Sequence, residues 1–279
     1  MERTDSLTQQ EVFPCVILAG GLGTRISEET DHKPKPMIEI GGLPVLLHIM
    51  RHYYRSGFRD FVVCAGYKAD VIKQFFLNYE FRCNNIEIDH RDLPNNPPKA
   101  FGASQTQEAW RVRIIDTGLN TMTGARLAKA FDAIEVTLES DTFAVTYGDG
   151  LCSVDLDAEL AFHSKHGKLG TVMGVRPVAR FGELDLSPDG QVRAFLEKPE
   201  FKQSLINGGF FFFNKKVRDY LSDDSECILE RKPLEKLAKD GHLMMFQHDG
   251  FWHPMDTLRD KNYLQGLWDT GEAPWLGAP

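Results

Sequence analysis

The chemistry-bearing residues of this chain gather first at positions 18–25, Leu18-Ala19-Gly20-Gly21-Leu22-Gly23-Thr24-Arg25. Glycines after a buried strand let backbone N–H groups approach a polyphosphate with no Cβ in the way. A helix or turn starting there adds its positive end. Thr24 brings a hydroxyl, and Arg25 a guanidinium suited to bidentate phosphate contacts. The spacing is neither GxxxxGK[ST] nor GxGxxG, so this is not a P-loop or a dinucleotide fingerprint. A plain strand-to-helix turn is the alternative. Downstream, His32-Lys33-Pro34-Lys35-Pro36-Met37 sets two lysines around a proline. Pro36 restricts Lys35 to extended backbone, which would hold its ammonium toward the glycine loop; a solvated basic loop is the alternative. Asp149, in Tyr147-Gly148-Asp149-Gly150, closes an apolar run. Open α/β sheets bind ligands at that end of a strand, and a carboxylate there can hold Mg²⁺. Asp256 follows Phe251-Trp252-His253-Pro254-Met255. The plainer readings are a turn aspartate before glycine for Asp149 and a helix N-cap for Asp256. Nothing in the spacing brings the two together.

The elements that must position these groups alternate. Residues 12–19, 61–65 and 143–147 are short apolar runs ending in glycine, as strands buried on both faces require. Residues 44–55 and 69–79 have helical spacing. Strand and helix at this pace predict right-handed crossovers onto a mostly parallel, Rossmann-like α/β sheet flanked by helices. The stretch 91–110, with Pro94, Pro97 and Pro98, reads as an irregular excursion or hairpin arm. Pro188-Asp189-Gly190 between two alternating runs signals a β-hairpin, part of a β-rich insertion covering the site. Residues 226–240 and 257–270 read as helices, and Phe210–Phe213 as buried strand. Residues 1–11 read as a disordered extension before one domain, 12–279. His163 and His166, i and i+3 near Asp155 and Asp157, lack a third ligand motif for zinc.

Composition narrows the partners. Lys and Arg total 32 against 40 Asp and Glu, a net charge of −8. That balance argues against a nucleic-acid or anionic-membrane binder, which needs a basic field. No apolar run approaches the length of a membrane span. The scattered cysteines, Cys15, Cys64, Cys83, Cys152 and Cys227, form no CxxC pair and fit free thiols in a reducing cytoplasm.

The segment 18–42, LAGGLGTRISEETDHKPKPMIEIGG, resembles the signature of nucleotidyltransferases that couple an NTP to a sugar 1-phosphate. Its ISEET and KPKPMIEIGG wording is most similar to the glucose-1-phosphate cytidylyltransferases. The likeness continues through DTGLNTMTGAR (116–126), TYGDG (146–150), RFG (180–182), EKP (197–199), INGGFF (206–211) and GFWHPMDTLRD (250–260). It implies a nucleotide-diphospho-sugar transferase fold, with 12–150 mainly for the nucleotide and 151–279 mainly for the sugar phosphate. It implies CTP and glucose 1-phosphate as substrates, Mg²⁺ on Asp149 and Asp256, and a cytoplasmic homo-oligomer. By the same resemblance Leu18, Ala19, Gly20, Gly21, Gly23, Thr24, Arg25, Lys35, Gly148 and Asp149 meet the nucleotide, and Thr121 and Arg126 meet the base. Arg180, Gly182, Glu197, Lys198, Asn207 and Gly208 meet the sugar phosphate. Lys198 is a point charge suited to a phosphate monoester, and Asn207 offers donors and acceptors to vicinal hydroxyls. The catalytic set is Arg25, Lys35, Asp149 and Lys198. The chain departs from the family pattern at Ala125, usually Gly, and at Thr121, often Ser. The same reaction with UTP or dTTP, or a catalytically inactive nucleotide-sugar-binding regulator, remains open at this level. The aromatic-rich 268–275 segment reads as a possible interface.

Overall fold

The computed structural model describes residues 13–102, 108–135, 141–177, 183–187, 191–196 and 205–277. The expected extension at 1–11 and the Pro-Asp-Gly turn at 188–190 lie outside these residues. Seven strands form the central sheet: β1 (Pro14–Leu18), β2 (Asp60–Ala65), β3 (Arg111–Asp116), β4 (Thr142–Tyr147), β5 (Gly170–Val175), β6 (Ile206–Asn214) and β7 (Leu243–His248). Their order is β7-β5-β6-β4-β1-β2-β3. Every pairing is parallel except those of β6, which runs against both β4 and β5.

The principal helices are α1 (Val45–Arg55), α2 (Ala69–Leu77), α3 (Thr123–Glu135), α4 (Leu156–His166), α5 (Lys232–Lys239) and α6 (Leu258–Asp269). Strand alternation divides the core. Cys15 and Ile17 face one layer with α1 and α2, while Val16 and Leu18 face the other with α3 and α5. Phe210 and Phe212 join the first layer, Phe211 and Phe213 the second, all of them buried. This two-sided burial explains why the strand sequences are continuous apolar runs.

The topology fixes the location of the site. From β1 the chain steps outward through α1 to β2 and through α2 to β3, then returns over α3 to β4 on the opposite side of β1. The crevice of an open α/β sheet forms at such a reversal, beyond the carboxyl ends of the two strands. The glycine loop leaves β1 there and Gly148-Asp149-Gly150 leaves β4. The Gly148 N–H donates to the Leu18 carbonyl at 3.0 Å, closing the two ends together.

Four sequence expectations change. Among the described residues the β-rich part is divided: β5, β6 and β7 extend the main sheet, and Glu183–Leu186 with Val192–Leu196 forms a separate antiparallel pair. Of the two readings of the excursion the hairpin arm is found, but with earlier bounds: Asn85–Glu87, before residue 91, pairs with Lys99–Phe101. The helix expected over 226–240 starts only at Lys232, with Pro233 in its first turn. The preceding segment instead satisfies the N-terminus of α3. The Ser225 and Cys227 carbonyls accept from the Met122 and Ala125 amides at 2.8 and 3.1 Å. The 268–275 aromatics are not an outward surface. Trp275 is 1% exposed and donates to His48 Nδ1, and Gly41 leaves no room for a Cβ against Trp268.

His163 and His166 both meet the Thr171 hydroxyl, at 2.8 and 2.7 Å. In the first turn of α4, Glu159 is fully buried and neither carboxyl oxygen has a hydrogen-bond partner among the described residues. Burial pushes its pKa from 4.5 up to about 8. The folded chain therefore holds a proton that the unfolded chain releases above about 4.5. The neutral carboxyl's contribution is complete below that pH and is lost as pH rises through about 8, at no more than ~1.4 kcal/mol per pH unit. Glu159→Gln is expected to flatten this decline. Urea denaturation at pH 6 and pH 8.5 checks it; equal pH dependence in both proteins would contradict the neutral state.

Candidate active site

The glycine loop rests on one arginine. Arg126, in the first turn of α3 and 3% exposed, sends its guanidinium under the loop. Nη2 donates to the carbonyls of Gly20 and Leu119 at 2.9 and 3.1 Å. Nη1 donates to the Ala65 and Gly118 carbonyls and the Thr117 hydroxyl at 3.1, 2.8 and 2.5 Å. One side chain thus ties together the segments leaving β1, β2 and β3. A Cβ at Gly20 would lie 2.1 Å from Nη1, and one at Gly66 2.5 Å from the same atom. Both glycines are needed for the guanidinium to pass. Thr121 donates its hydroxyl to the Thr117 carbonyl at 2.7 Å and accepts from Lys129 Nζ at 3.1 Å. The two expected base contacts therefore do sit beside the loop, with their polar groups engaged by the protein. Gly66 and Lys129 were not expected. The glycine ending the 61–65 run was the available signal for the first.

Gly23 has φ +66°, and a Cβ there would meet Thr30 Cγ2 at 2.7 Å. Both conformation and space require glycine. Only single turns follow, Thr24–Ile26 and Ser27–Thr30, instead of a full helix. Thr24 and Arg25 stand exposed above the crevice.

Lys35 occupies the middle of the site. Its backbone opens a one-turn 3₁₀ helix, Lys35–Met37, and the extended residue is Pro34. The local bonds Met37 N–H to Pro34 and Ile38 N–H to Lys35, 2.8 and 3.1 Å, override the bias that Pro36 imposes on its predecessor. Lys33 turns outward to Glu39 at 3.7 Å. The Lys35 ammonium lies 2.5 Å from Asp149 Oδ2 and 2.7 Å from Asp256 Oδ1. Arg25 Nη1 donates to the other oxygen of Asp256 at 2.7 Å. Pro36 packs beneath Gly148, where a Cβ would lie 3.0 Å from its Cγ.

The two aspartates are joined by a short ribbon. Gly150–Cys152, directly after Asp149, pairs antiparallel with Trp252–Pro254, which only Met255 separates from Asp256. The Met255 N–H then donates to the Asp149 carbonyl at 2.8 Å. Asp256 is not the cap of α6. Thr257 is, in a capping box completed by Asp260. Asp260 Oδ2 also accepts the Asp256 N–H at 3.1 Å, so the cap holds the loop and leaves the Asp256 carboxylate to the site. Burial alone would raise the Asp260 pKa, but hydrogen bonds from the Thr257 hydroxyl and amide hold it below the usual carboxylate range. Thr257 and Asp260 were missed as supports; the T-x-x-D spacing was their signal.

Two carboxylates on one ammonium form a set of hard oxygen donors. Among the described residues no group of three or more His, Cys, Asp or Glu side chains could enclose a metal. The pair suits a cation such as Mg²⁺, which takes one or two protein carboxylates and fills its octahedron from phosphate and water.

Beside Asp149 lies a small open recess lined by Tyr147, Asn207, Gly208, Gly209, Trp252 and Pro254 among others. Trp252 Nε1 donates to the Gly208 carbonyl at 2.7 Å. Gly209, φ +80°, lies against the Tyr147 ring. Asn207 and Gly208 thus join the site, whereas Arg180, Gly182, Glu197 and Lys198 lie outside the described residues. Gly20→Ala is expected to drive the Arg126 guanidinium from its carbonyls, at an overpacking cost of about 1–3 kcal/mol. A thermal melt checks it, and an unchanged Tm would contradict the contact.

The nucleotidyl transferase family model matches residues 15–257. Glucose-1-phosphate cytidylyltransferase of Salmonella typhi is 46% identical over 269 residues, 93% of this chain and 97% of that protein. The probable glucose-1-phosphate cytidylyltransferase of Bacillus subtilis (strain 168) is 38% identical, covering 93% and 98%. Among solved structures, HddC from Yersinia pseudotuberculosis complexed with GMP-PN aligns with a TM-score of 0.63 at 25% identity, over 92% of this chain and 100% of that one. A UDP-glucose pyrophosphorylase complexed with UDP-glucose shares the fold, with a TM-score of 0.65 at 15% identity over 93% and 99%. On a match spanning most of its length and relatives aligned nearly end to end, the chain belongs to the nucleotidyl transferase family, in the group of the glucose-1-phosphate cytidylyltransferases.

Proposed function

We propose that this chain transfers a cytidylyl group from CTP to α-D-glucose 1-phosphate, giving CDP-glucose and pyrophosphate. The observation that carries the reaction class is the convergence of Asp149, Asp256 and Lys35 beside a glycine loop at the switch point of the sheet. The choice of base and sugar rests on the two aligned cytidylyltransferases.

An oxygen of the sugar phosphate attacks the α-phosphorus in line. The bond to the β-phosphate oxygen breaks, and pyrophosphate leaves with its electron pair. The nucleophile is ionised at neutral pH, so no general base is needed. The protein's work is positioning and charge stabilisation. Arg25 and the amides of Gly21 and Gly23 grip the β- and γ-phosphates. Lys35, released from part of its double ion pair, neutralises charge at the transferred phosphoryl group. By the family resemblance, Lys198 holds the sugar phosphate, Arg180 and Gly182 belong to the same subsite, and Glu197 accepts from sugar hydroxyls. A Mg²⁺ ion held by Asp149 and Asp256 would supply charge neutralisation at the transferring group and the leaving pyrophosphate. The free cysteines, three of them buried, fit a cytoplasmic enzyme.

Pyrophosphate release with Mg²⁺, testing CTP, UTP, dTTP, ATP and GTP against glucose 1-phosphate, decides the reading. Release with CTP is expected. Release only with UTP or dTTP would move the base assignment, and binding without release would favour a regulator. In the same assay Lys35→Ala is expected to lower kcat at least about tenfold, ~1.4 kcal/mol of transition-state stabilisation. Unchanged turnover would remove Lys35 from the chemistry.

A further inference from the structure

Outside the family motifs, one carboxylate reaches both halves of the site. Glu230 belongs to the segment that wraps the N-terminus of α3. Its Oε2 accepts from the Thr123 hydroxyl at 2.7 Å, and Thr123 Oγ1 in turn accepts the Leu229 N–H at 2.9 Å. Its Oε1 accepts from the Tyr147 hydroxyl. Tyr147 also receives a bond from Asn207 Nδ2 at 3.3 Å, while Asn207 Oδ1 accepts the Gly209 N–H at 2.8 Å.

Every donor direction in this chain is fixed. A backbone N–H can only donate, so the oxygen of Asn207 must face Gly209 and its nitrogen must face Tyr147. An ionised carboxylate can only accept, so the Tyr147 proton points to Glu230 and its oxygen is left to receive from Asn207. The second Nδ2 hydrogen of Asn207 is then available as a donor beside the recess that Asn207 and Tyr147 both line. We propose that Glu230 is a positioning residue of the sugar subsite: acting through Tyr147, it holds Asn207 with an N–H presented to an oxygen of the sugar phosphate. The proposal rests on the reaction assigned above. Because Glu230 also anchors Thr123, at the start of the helix carrying Arg126, it joins the sugar side of the crevice to the floor of the nucleotide side.

Steady-state kinetics of wild type, Glu230→Ala, Glu230→Gln, Tyr147→Phe and the Glu230→Ala/Tyr147→Phe pair test it, each with a thermal melt. Glu230→Ala is expected to raise KM for glucose 1-phosphate about tenfold, the size of one lost charge-assisted hydrogen bond, with KM for CTP within about twofold. Glu230→Gln keeps an amide oxygen for Tyr147 and is expected to recover most of the loss. Tyr147→Phe should match Glu230→Ala, and the pair should be no worse than either, because both break one chain. An unchanged KM for the sugar phosphate, an equal rise for CTP, or additive losses in the pair would overturn the positioning role while wild-type turnover leaves the reaction standing. Absence of wild-type turnover would overturn the reaction, and the positioning role with it.

Discussion

The site is organised around one buried ammonium shared by two carboxylates. Asp149 and Asp256 bring two like charges to one part-buried place, where they repel each other unless a cation lies between them. Lys35 supplies that cation, with direct bonds to both, and Arg25 takes the remaining oxygen of Asp256. The free protein therefore carries a charge-balanced cluster where a phosphorylated ligand and its metal would arrive. On the proposed reaction, Asp149 and Asp256 would hold the metal in place of the ammonium, and Lys35 would turn to a phosphate, within a set that is already part-buried. Such an exchange avoids most of the cost of burying new charge.

Everything around this cluster limits its movement. The Lys35 backbone is fixed by a single 3₁₀ turn whose Pro36 lies under Gly148. Asp149 is held by the end of β4 and by the bond from Met255. Asp256 is held by a ribbon on one side and the α6 capping box on the other. These supports come from segments far apart in the chain, so the geometry depends on the completed sheet. A reversal of strand order between β1 and β4 opens the crevice, and α1 and α6 pack where they can bring in the rest.

The sequence displayed the parts more readily than their joints. The strands at 14–18, 60–65 and 142–147 were legible because burial on both faces demands uninterrupted apolar runs. The glycine loop and Lys35 were legible because their residue types suit phosphate. The meeting of Asp149 and Asp256 was not, because it depends on a three-residue ribbon between distant segments, too short to leave a pattern. The helix expected over 226–240 failed in its first half for a related reason. Residues 225–229 satisfy the amides and a hydroxyl at the start of α3, and that tertiary demand outweighed local propensity. The same tertiary override drew Trp268 and Trp275 inward to His48. Arg126 was singled out by the family resemblance alone, and the use of its donors was not legible at all, since backbone carbonyls carry no mark in the sequence.

That use constrains how a base can be read. Were the Arg126 guanidinium to turn toward a base edge, it would abandon carbonyls at Gly20, Ala65, Gly118 and Leu119. The Ala65 and Gly20 carbonyls would keep the Thr117 and Tyr67 amides as donors, but the guanidinium itself would give up its bonds to all four, and a hydrogen bond from a charged group contributes about 1.5–3 kcal/mol. A guanidinium that stays in place acts instead as a rigid floor, and two glycines, Gly20 and Gly66, exist in this structure to admit it. On the proposed reaction, the backbone of the 117–121 loop, fixed from below by Arg126 and from the side by Lys129, would be a rigid polar edge for a base. Discrimination by a fixed backbone edge depends on position to within a fraction of an ångström. The stitched strand ends provide that precision, and a long, mobile side chain reaching into open crevice would not.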